Sequence, residues 1–190
     1  MLLFREKVPT DWLPKVLSDL PAVLVDHAHL ERKAATSALN LEKYRDLYPR
    51  VEDLNAIAIE ELQHFQLVLE LLKRRGIPFG QPFPSPWIAG LMKSVRNGSR
   101  QQAIDHLICC SLIEGRSCEK FQFLAAELKT ADPELSGFYA SLVESEGNHY
   151  ATYLLMAKGI DEAETDRRLD FYLDLDAALI RQPNPLPMLH

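Results

Sequence analysis

Six residues in this sequence have the types and the spacing of a two-metal centre. Along the chain they follow the order Glu, Glu-x-x-His, Glu, Glu-x-x-His: Glu31, Glu61, His64, Glu114, Glu146 and His149. Carboxylate-bridged iron or manganese pairs in four-helix bundles use one Glu from each of two helices and Glu-x-x-His from each of the other two. A Glu and a His three residues apart share one face of a helix, so both can reach the same ion. The pattern predicts two metal ions inside a helical bundle.

The candidate ligands divide the chain into two similar halves. Glu31 and Glu61 are 30 positions apart, and Glu114 and Glu146 are 32 apart. A separation of this size accommodates two helices and a tight connection between them. Each half is therefore interpreted as one antiparallel helix pair.

The candidate ligands lie on the apolar faces of their helices. Glu61 and His64, for example, share a stripe with Ile57, Val68 and Leu71. Because the acids share the apolar face of the helix, they point toward the core. A lone carboxylate there is costly unless it is paired, protonated or bound to metal. Four converging acids would repel one another by on the order of several kcal/mol each without a cation. This favours a metal centre over a structural bundle with incidental buried acids.

Other polar residues on these faces have two interpretations each. Cys110 and Ser117, four and three positions from Glu114, either shape a pocket above the metals or pack against a neighbouring helix. His27, four residues before Glu31, either hydrogen-bonds a ligand carboxylate or is an ordinary core histidine. Tyr153 either lines the site or fills the core. His29 and His106 lie off the ligand faces and are given no role. Three further acids are interpreted as solvent-facing or as part of the surroundings of the ligands: Glu60, Glu119 and Glu144.

The fold class predicted from composition and periodicity is all-α, in a single domain spanning residues 1–190. Hydrophobic residues make up 47% of the chain, Gly occurs only eight times, and no run alternates in the manner of a strand. Helices are expected at about 21–48, 51–75, 99–129, 133–159 and 161–180. Four prolines between Ile77 and Pro86 predict a long irregular crossover, about 77–99, between the second and third helices. The Pro-rich tail, about 181–190, is expected to be irregular on the surface and without chemistry.

Neither membrane insertion nor secretion is indicated. No stretch of about 18 apolar residues is present, and the start of the chain, MLLFREKVPTDW, becomes charged too early for a secretory signal. The three cysteines, Cys109, Cys110 and Cys118, lack zinc-motif spacing. A cytoplasmic location is expected.

The segments around the candidate ligands resemble a known family. They are DHAHLERKAA, AIEELQHFQLVLELLKRRG, LIEGRSCEKF and SEGNHYATYL. They are similar to the bacterial tRNA hydroxylases that act on 2-methylthio-isopentenyl-adenosine, and the similarity covers most of the chain. It implies a ferritin-like di-iron monooxygenase that uses O2 and electrons from a reductase to hydroxylate the isopentenyl group of the modified adenosine next to the anticodon.

The same resemblance implies a distribution of the ligands. Glu31 and His64 would complete one iron, Glu114 and His149 the other, while Glu61 and Glu146 would bridge the two. The bridging roles could also be exchanged among the carboxylates.

The charge pattern makes a tRNA partner less obvious. The net charge is −6, whereas nucleic-acid affinity comes from Lys and Arg. Two basic clusters flank the crossover and are the candidate tRNA contacts: Lys73, Arg74 and Arg75, then Lys93, Arg96 and Arg100. Phe79, Phe83 and Trp87 would help to receive the base. Alternatively, the basic residues complement helix dipoles and the aromatic residues cover the core.

Two other functions compete with the hydroxylase. A ferritin-like protein that oxidises iron or reduces peroxide would use the same six ligands, although the extra C-terminal helix and the long crossover are unlike a cage-forming subunit. A bundle that only binds a partner through the acidic segment 161–176 would hold no stoichiometric iron.

Overall fold

The computed structural model describes residues 3–190, and this part of the chain contains helices and no strand. The prediction of an all-α fold is confirmed. The helices are α1 (Trp12–Ser18), α2 (Leu20–Leu41), a 3₁₀ helix (Arg45–Arg50), α3 (Val51–Arg74), α4 (Pro86–Lys93), α5 (Ser99–Ala131), α6 (Pro133–Ile160) and α7 (Glu162–Ile180). None of them is both long enough and apolar enough to cross a membrane.

Four long helices form the bundle that carries the candidate ligands. α2 packs mainly against α3 and α5 mainly against α6, which produces the two antiparallel pairs expected from the sequence. Local signals set their ends. Asp19 accepts a hydrogen bond from the Ala22 amide at the start of α2, and Asp132 does the same for Leu135 at the start of α6. Gly76, at a φ of +67°, ends α3.

The helices differ from those expected in three ways: one ends earlier, and two short helices were not predicted. α2 ends at Leu41, and the chain then forms a 3₁₀ helix that contains Pro49, so the expected helix to residue 48 was too long. α1 lies in the N-terminal arm, where no helix was predicted. The crossover contains α4, because Ser85 caps the Ile88 amide and Pro86 occupies the first turn.

Most of the tail lies on the surface, since residues 181–187 are exposed or half-buried, but its last three residues are inside, contrary to the expectation for this segment. Met188, Leu189 and His190 are each at most 5% exposed. The Leu189 amide donates a hydrogen bond to Asp26 in α2, and the Trp12 indole donates to the Met188 carbonyl. The end of the described chain is thus inserted between α1 and the bundle.

Buried ion pairs attach α7 to the bundle. Arg116 in α5 donates to both carboxylate oxygens of Asp176 in α7, and Trp87 in α4 donates to the same carboxylate. Asp105 in α5 accepts from Arg168 in α7. These contacts explain why a helix with a strongly charged sequence has a buried face.

Candidate metal centre

The structure brings all six predicted ligands together in the middle of the bundle. Each is at most 6% exposed. α2 contributes Glu31, α5 contributes Glu114, and α3 and α6 each contribute a Glu and a His at i and i+3: Glu61 with His64, and Glu146 with His149.

The side chains form two overlapping groups of potential ligand atoms. Within each group the atoms lie within 4.8 Å of one another. One group consists of Glu31, Glu61, His64 and Glu146, and the other of Glu61, Glu114, Glu146 and His149. Two carboxylates belong to both groups, which is the arrangement needed for bridging a pair of ions.

Both histidine rings turn the same nitrogen toward the carboxylates. His149 Nδ1 lies 2.7 Å from a Glu61 oxygen, and His64 Nδ1 lies 3.6 Å from an oxygen of Glu146. The opposite nitrogen points outward: His149 Nε2 is 2.8 Å from Glu60 and His64 Nε2 is 3.4 Å from the Ser145 hydroxyl. A metal-binding histidine characteristically has such an outer partner, which sets its tautomer.

Several buried atoms in the centre lack an aligned hydrogen-bond partner among the described residues. They are both oxygens of Glu61, one oxygen of Glu146, and the Nδ1 atoms of His64 and His149. Unpartnered buried acceptors that face one another are costly. Divalent cations would satisfy them, so the residues fit a dinuclear metal site.

The pKa values express the same electrostatic problem. Burial, followed by the charge of Glu61, raises the pKa of Glu114 to about 8. Burial raises the pKa of Glu146 well above its usual range, with the other three acids adding to the effect. Burial alone would lower the pKa of His64, but the nearby carboxylates of Glu31 and Glu61 raise it to about 10. Without cations, protons must neutralise part of this cluster.

His27 contacts a ligand rather than serving only as a core residue. Its Nε2 hydrogen-bonds Glu31, while its ring packs against Tyr139 and Phe121. Burial tends to raise the pKa of Glu31, but the charge and hydrogen bond of His27 outweigh it and lower the pKa. Glu60, expected either to face solvent or to surround the ligands, takes the second position and supports His149 in a similar way.

A cavity of about 630 Å³ leads to the centre from the side of α2 and α5. Glu31, Glu114 and Glu146 lie at its inner end, and Cys110 and Ser117 line its wall. Both are therefore in the position that the first of their two interpretations requires.

Three exposed basic residues line the outer part of the cavity: Arg32, Lys33 and Lys43. Within residues 3–190, no salt bridge joins them to an acid. Their spacing in the sequence does not single them out, because they are scattered along α2 and the following turn rather than clustered. His106, to which no role was assigned, also lines the cavity and hydrogen-bonds Tyr44 at 2.6 Å.

The two predicted basic clusters lie at opposite ends of the bundle. α3, with 24 residues, is about 36 Å long, and it separates the first cluster from the end where α5 begins. Arg75 pairs with Asp132 and Arg96 with Asp105, while Arg74 and Arg100 pair with Glu134 and Asp46. Lys73 and Lys93 are exposed and have no such pairing among the described residues.

The crossover aromatic residues are not equivalent. Trp87 is buried and hydrogen-bonded to Asp176, so it belongs to the core and is not available to a base. Phe79 and Phe83 are exposed, and Phe79 stacks on His29 with ring centroids 4.4 Å apart.

The bundle and its carboxylate-histidine centre define the class as ferritin-like di-iron proteins. A solved structure of a protein from Synechococcus, described as having aldehyde deformylating oxygenase activity, matches 100% of this chain and 96% of its own, with a TM-score of 0.91 and 30% identity.

Sequence comparison identifies the family within this class. The family model described as tRNA-(MS[2]IO[6]A)-hydroxylase (MiaE) matches residues 2–190. The chain belongs to this family. A tRNA 2-(methylsulfanyl)-N(6)-isopentenyladenosine(37) hydroxylase from Pseudomonas putida is 36% identical over 178 residues, which are 93% of this chain and 85% of the relative. One of the same description from Salmonella typhimurium is 39% identical over 125 residues, which are 66% of this chain and 45% of the relative.

Proposed function

We propose that the protein hydroxylates the isopentenyl side chain of 2-methylthio-isopentenyl-adenosine in tRNA, next to the anticodon, with two iron ions and O2. The observation that carries the proposal is the pair of overlapping ligand groups at the inner end of a deep cavity. Family membership supports the substrate class.

Each ligand has a role in this proposal. Glu31 and His64 would bind one iron, Glu114 and His149 the other, and Glu61 and Glu146 would bridge them. Bound irons would supply the activation of O2 that insertion into an unactivated C–H bond requires. The protein holds these side chains in place through Glu60 and Ser145 and keeps the centre buried.

The cavity suits a branched apolar side chain. Its volume lies in the range typical of small-molecule sites. Its walls include the apolar side chains of Leu30, Ile113 and Phe121, with Ile88 and Met92 of α4 on another side. An isopentenyl group inserted here would point its carbon atoms toward Glu31 and Glu114 and lose contact with water.

The cavity mouth would receive the tRNA backbone. Lys33 and Lys43 are exposed at its rim, and Lys93 is the neighbour of Met92, which lines it. Phosphate contacts of this kind are compatible with an acidic protein, because affinity depends on local cations rather than on the net charge. The other predicted contacts, Lys73, Arg74, Arg75, Arg96 and Arg100, stay a prediction, and four of them would have to exchange acid partners for phosphates.

Paired variants test the position of the tRNA. Replacing Lys33 and Lys43 by Ala should weaken tRNA binding and lower the slope of log affinity against log salt by about 2. Replacing Lys73 and Arg74 removes the same charge at the far end of α3. If only this second pair weakens binding, with iron content unchanged in both, the mouth is not the tRNA site.

The decisive experiment is nucleoside mass spectrometry. tRNA that carries the isopentenylated adenosine is incubated with O2, a reductant and protein verified to hold two irons. We expect one added oxygen on that nucleoside and none with Glu114→Ala. No added oxygen, with bulk oxidation of ferrous iron instead, would favour the iron-handling alternative.

Metal analysis tests the ligands separately. Glu31→Ala and His149→Ala should each reduce iron below two per chain, because each removes a ligand from one group only. Retention of two irons in either variant would contradict the assignment.

A physiological electron donor, expected to be a reductase, and a cytoplasmic location are proposed on the basis of the reaction and its tRNA substrate.

A further inference from the structure

A second cavity lies behind the first, on the other side of the tail. Its volume is about 180 Å³, and Trp12, Trp87 and Lys120 line it. Exposed residues at its rim, including Asp11 and Gln182, open it to solvent. Leu189 and His190 line both cavities, so the tail forms the partition between them.

A line of hydrogen-bonding groups crosses this partition. Lys120 Nζ is 3.3 Å from His190 Nδ1, and His190 Nε2 is 3.0 Å from Ser117 Oγ. All three residues are at most 8% exposed. Lys120 lines the second cavity, Ser117 lines the first, and His190 lies between them. The imidazole is held in place by stacking on Trp87, with ring centroids 5.2 Å apart.

The chemistry of these groups sets a direction. A lysine ammonium only donates hydrogen bonds, so Nδ1 of His190 must accept from Lys120. A neutral imidazole then carries its proton on Nε2 and donates to the Ser117 hydroxyl. The Ser117 hydroxyl can then donate its own proton to an acceptor in the first cavity, which Ser117 and Glu114 both line.

We propose that Lys120, His190 and Ser117 form a proton relay from the second, solvent-open cavity to the reaction cavity. This inference rests on the proposed function. Hydroxylation consumes protons: C–H + O2 + 2 H⁺ + 2 e⁻ gives C–OH + H2O, with the electrons from an external reductant. When substrate fills the first cavity and excludes water from it, the buried centre needs another route for those protons.

Each passage moves one proton and breaks as many bonds as it forms. An Nζ–H bond of Lys120 breaks as Nδ1–H forms, Nε2–H breaks as a new Oγ–H forms, and the original Ser117 proton goes to the acceptor in the cavity. Water in the second cavity then reprotonates Lys120. Reorientation of the three groups restores the pattern before the second proton passes.

The surroundings of Lys120 suit a proton donor. Burial, followed by the charge of Arg116, lowers the pKa of Lys120 to about 7, so it can release a proton near neutrality. Acids on three helices oppose this effect: Glu119 on α5, Asp176 on α7 and Asp26 on α2. Burial also lowers the pKa of His190 well below its ordinary value. The ring is therefore neutral, so it can accept at Nδ1 while it donates from Nε2.

The tautomer of His190 is a test that does not depend on turnover. Nitrogen NMR of the full chain before iron is added should show a proton on Nε2 and a hydrogen-bonded, unprotonated Nδ1. A ring protonated on Nδ1, or on both nitrogens at neutral pH, would overturn the relay.

The source of oxygen provides the second test. Hydrogen peroxide carries both electrons and both protons, since C–H + H2O2 gives C–OH + H2O, so peroxide-driven turnover needs no net proton delivery. We expect Ser117→Ala and Lys120→Met to reduce turnover with O2 and reductant about 10-fold, because water replaces the lost group only partly. Peroxide-driven turnover should stay within about twofold of the wild type.

Matched variants separate the relay from packing. Ser117→Thr retains the hydroxyl and should retain O2-driven turnover, and Ser37→Ala removes a hydroxyl of α2 from the wall of the same cavity. Iron content and melting temperature establish that each variant is folded and loaded. Equal losses with O2 and with peroxide, or no loss in either, would overturn the relay. A wild-type protein inactive with both oxidants would instead contradict the proposed function and remove the basis of the relay.

Discussion

Single side chains outside the ligand set determine how the ligands are held. His149 turns Nδ1 toward the centre because its other nitrogen hydrogen-bonds Glu60. His27 likewise holds Glu31 in place, through a hydrogen bond from its Nε2 atom. These supporting contacts could not be assigned from spacing alone, since Glu60 and Glu144 both precede ligands on their helices and only the first reaches a histidine.

Removal of the Glu60 carboxylate should weaken iron binding. We expect Glu60→Ala to lower the affinity about 10-fold, because His149 loses the partner that sets its tautomer and orientation. Glu144→Ala, an exposed acid of α6, is the control and should bind iron as the wild type does. Iron titration under anaerobic conditions measures both. Equal affinities in the two variants would contradict a role for Glu60.

Lys120 should make stability depend on pH in a defined direction. Its pKa is lowered to about 7 in the folded protein, so between about pH 7 and 10.5 the unfolded state binds more protons. The free energy of unfolding therefore gains a contribution that rises with pH across this window and is smallest below pH 7. The Lys120→Met substitution removes this pH-dependent contribution.

Denaturant unfolding at pH 6.5, 8 and 9.5 checks this. The difference in unfolding free energy between the wild type and Lys120→Met should shift in favour of the wild type as the pH rises, while all other groups cancel. A difference that is constant with pH would mean that Lys120 remains fully charged in the folded protein.

At the scale of elements, Asp105 joins three segments: its own helix α5, the end of the crossover before it, and α7. Its carboxylate accepts from Arg96 before α5 and from Arg168 of α7, and it also accepts the Arg96 backbone amide. Arg96 additionally pairs with Glu164. Arg96, expected to contact tRNA, is therefore a structural link between the crossover and α7 in this conformation.

Loss of this carboxylate should be strongly destabilising. Asp105→Ala leaves Arg96 and the buried Arg168 without their shared partner, and we expect a loss of about 3 kcal/mol in unfolding free energy. Asp46→Ala breaks the more exposed pair with Arg100 and should cost less than about 1 kcal/mol. Chemical denaturation compares them. Similar costs would show that the Asp105 network does not hold α7.

At the scale of the whole molecule, the proposed metal centre would couple folding to cation binding. Four acids from four helices converge in the core, and protons or cations must offset their repulsion. Two cations, one in each overlapping group, would together contact all four helices, whereas the unfolded chain holds the candidate ligands far apart. Binding energy therefore becomes stability of the entire bundle.

Ferrous iron should raise the melting temperature. At a free concentration 100 times the dissociation constant, binding contributes about 2.7 kcal/mol, which corresponds to about 5–10 °C for a domain of this size. Glu61→Ala, which removes a carboxylate common to both groups, should abolish most of the shift. Anaerobic calorimetry measures it. An unchanged shift in Glu61→Ala would contradict a shared ligand.

The all-α fold, the four long helices and the convergence of the six candidate ligands on one core followed from the sequence by itself, because these depend on local rules. An α-helix completes one turn every 3.6 residues, so side chains three or four positions apart lie on one face wherever the helix is placed. Capping residues such as Asp132 and the following proline likewise act within one turn.

Only the tertiary structure decided which groups meet across large separations in sequence. Leu189 contacts Asp26 from 163 positions away, and the tail carries no periodicity that would place it inside. The basic cavity mouth, the separation of the two basic clusters and the line from Lys120 through His190 to Ser117 arise in the same way. Each depends on how helices pack, and packing responds to the combined shape and charge of many residues rather than to any local pattern.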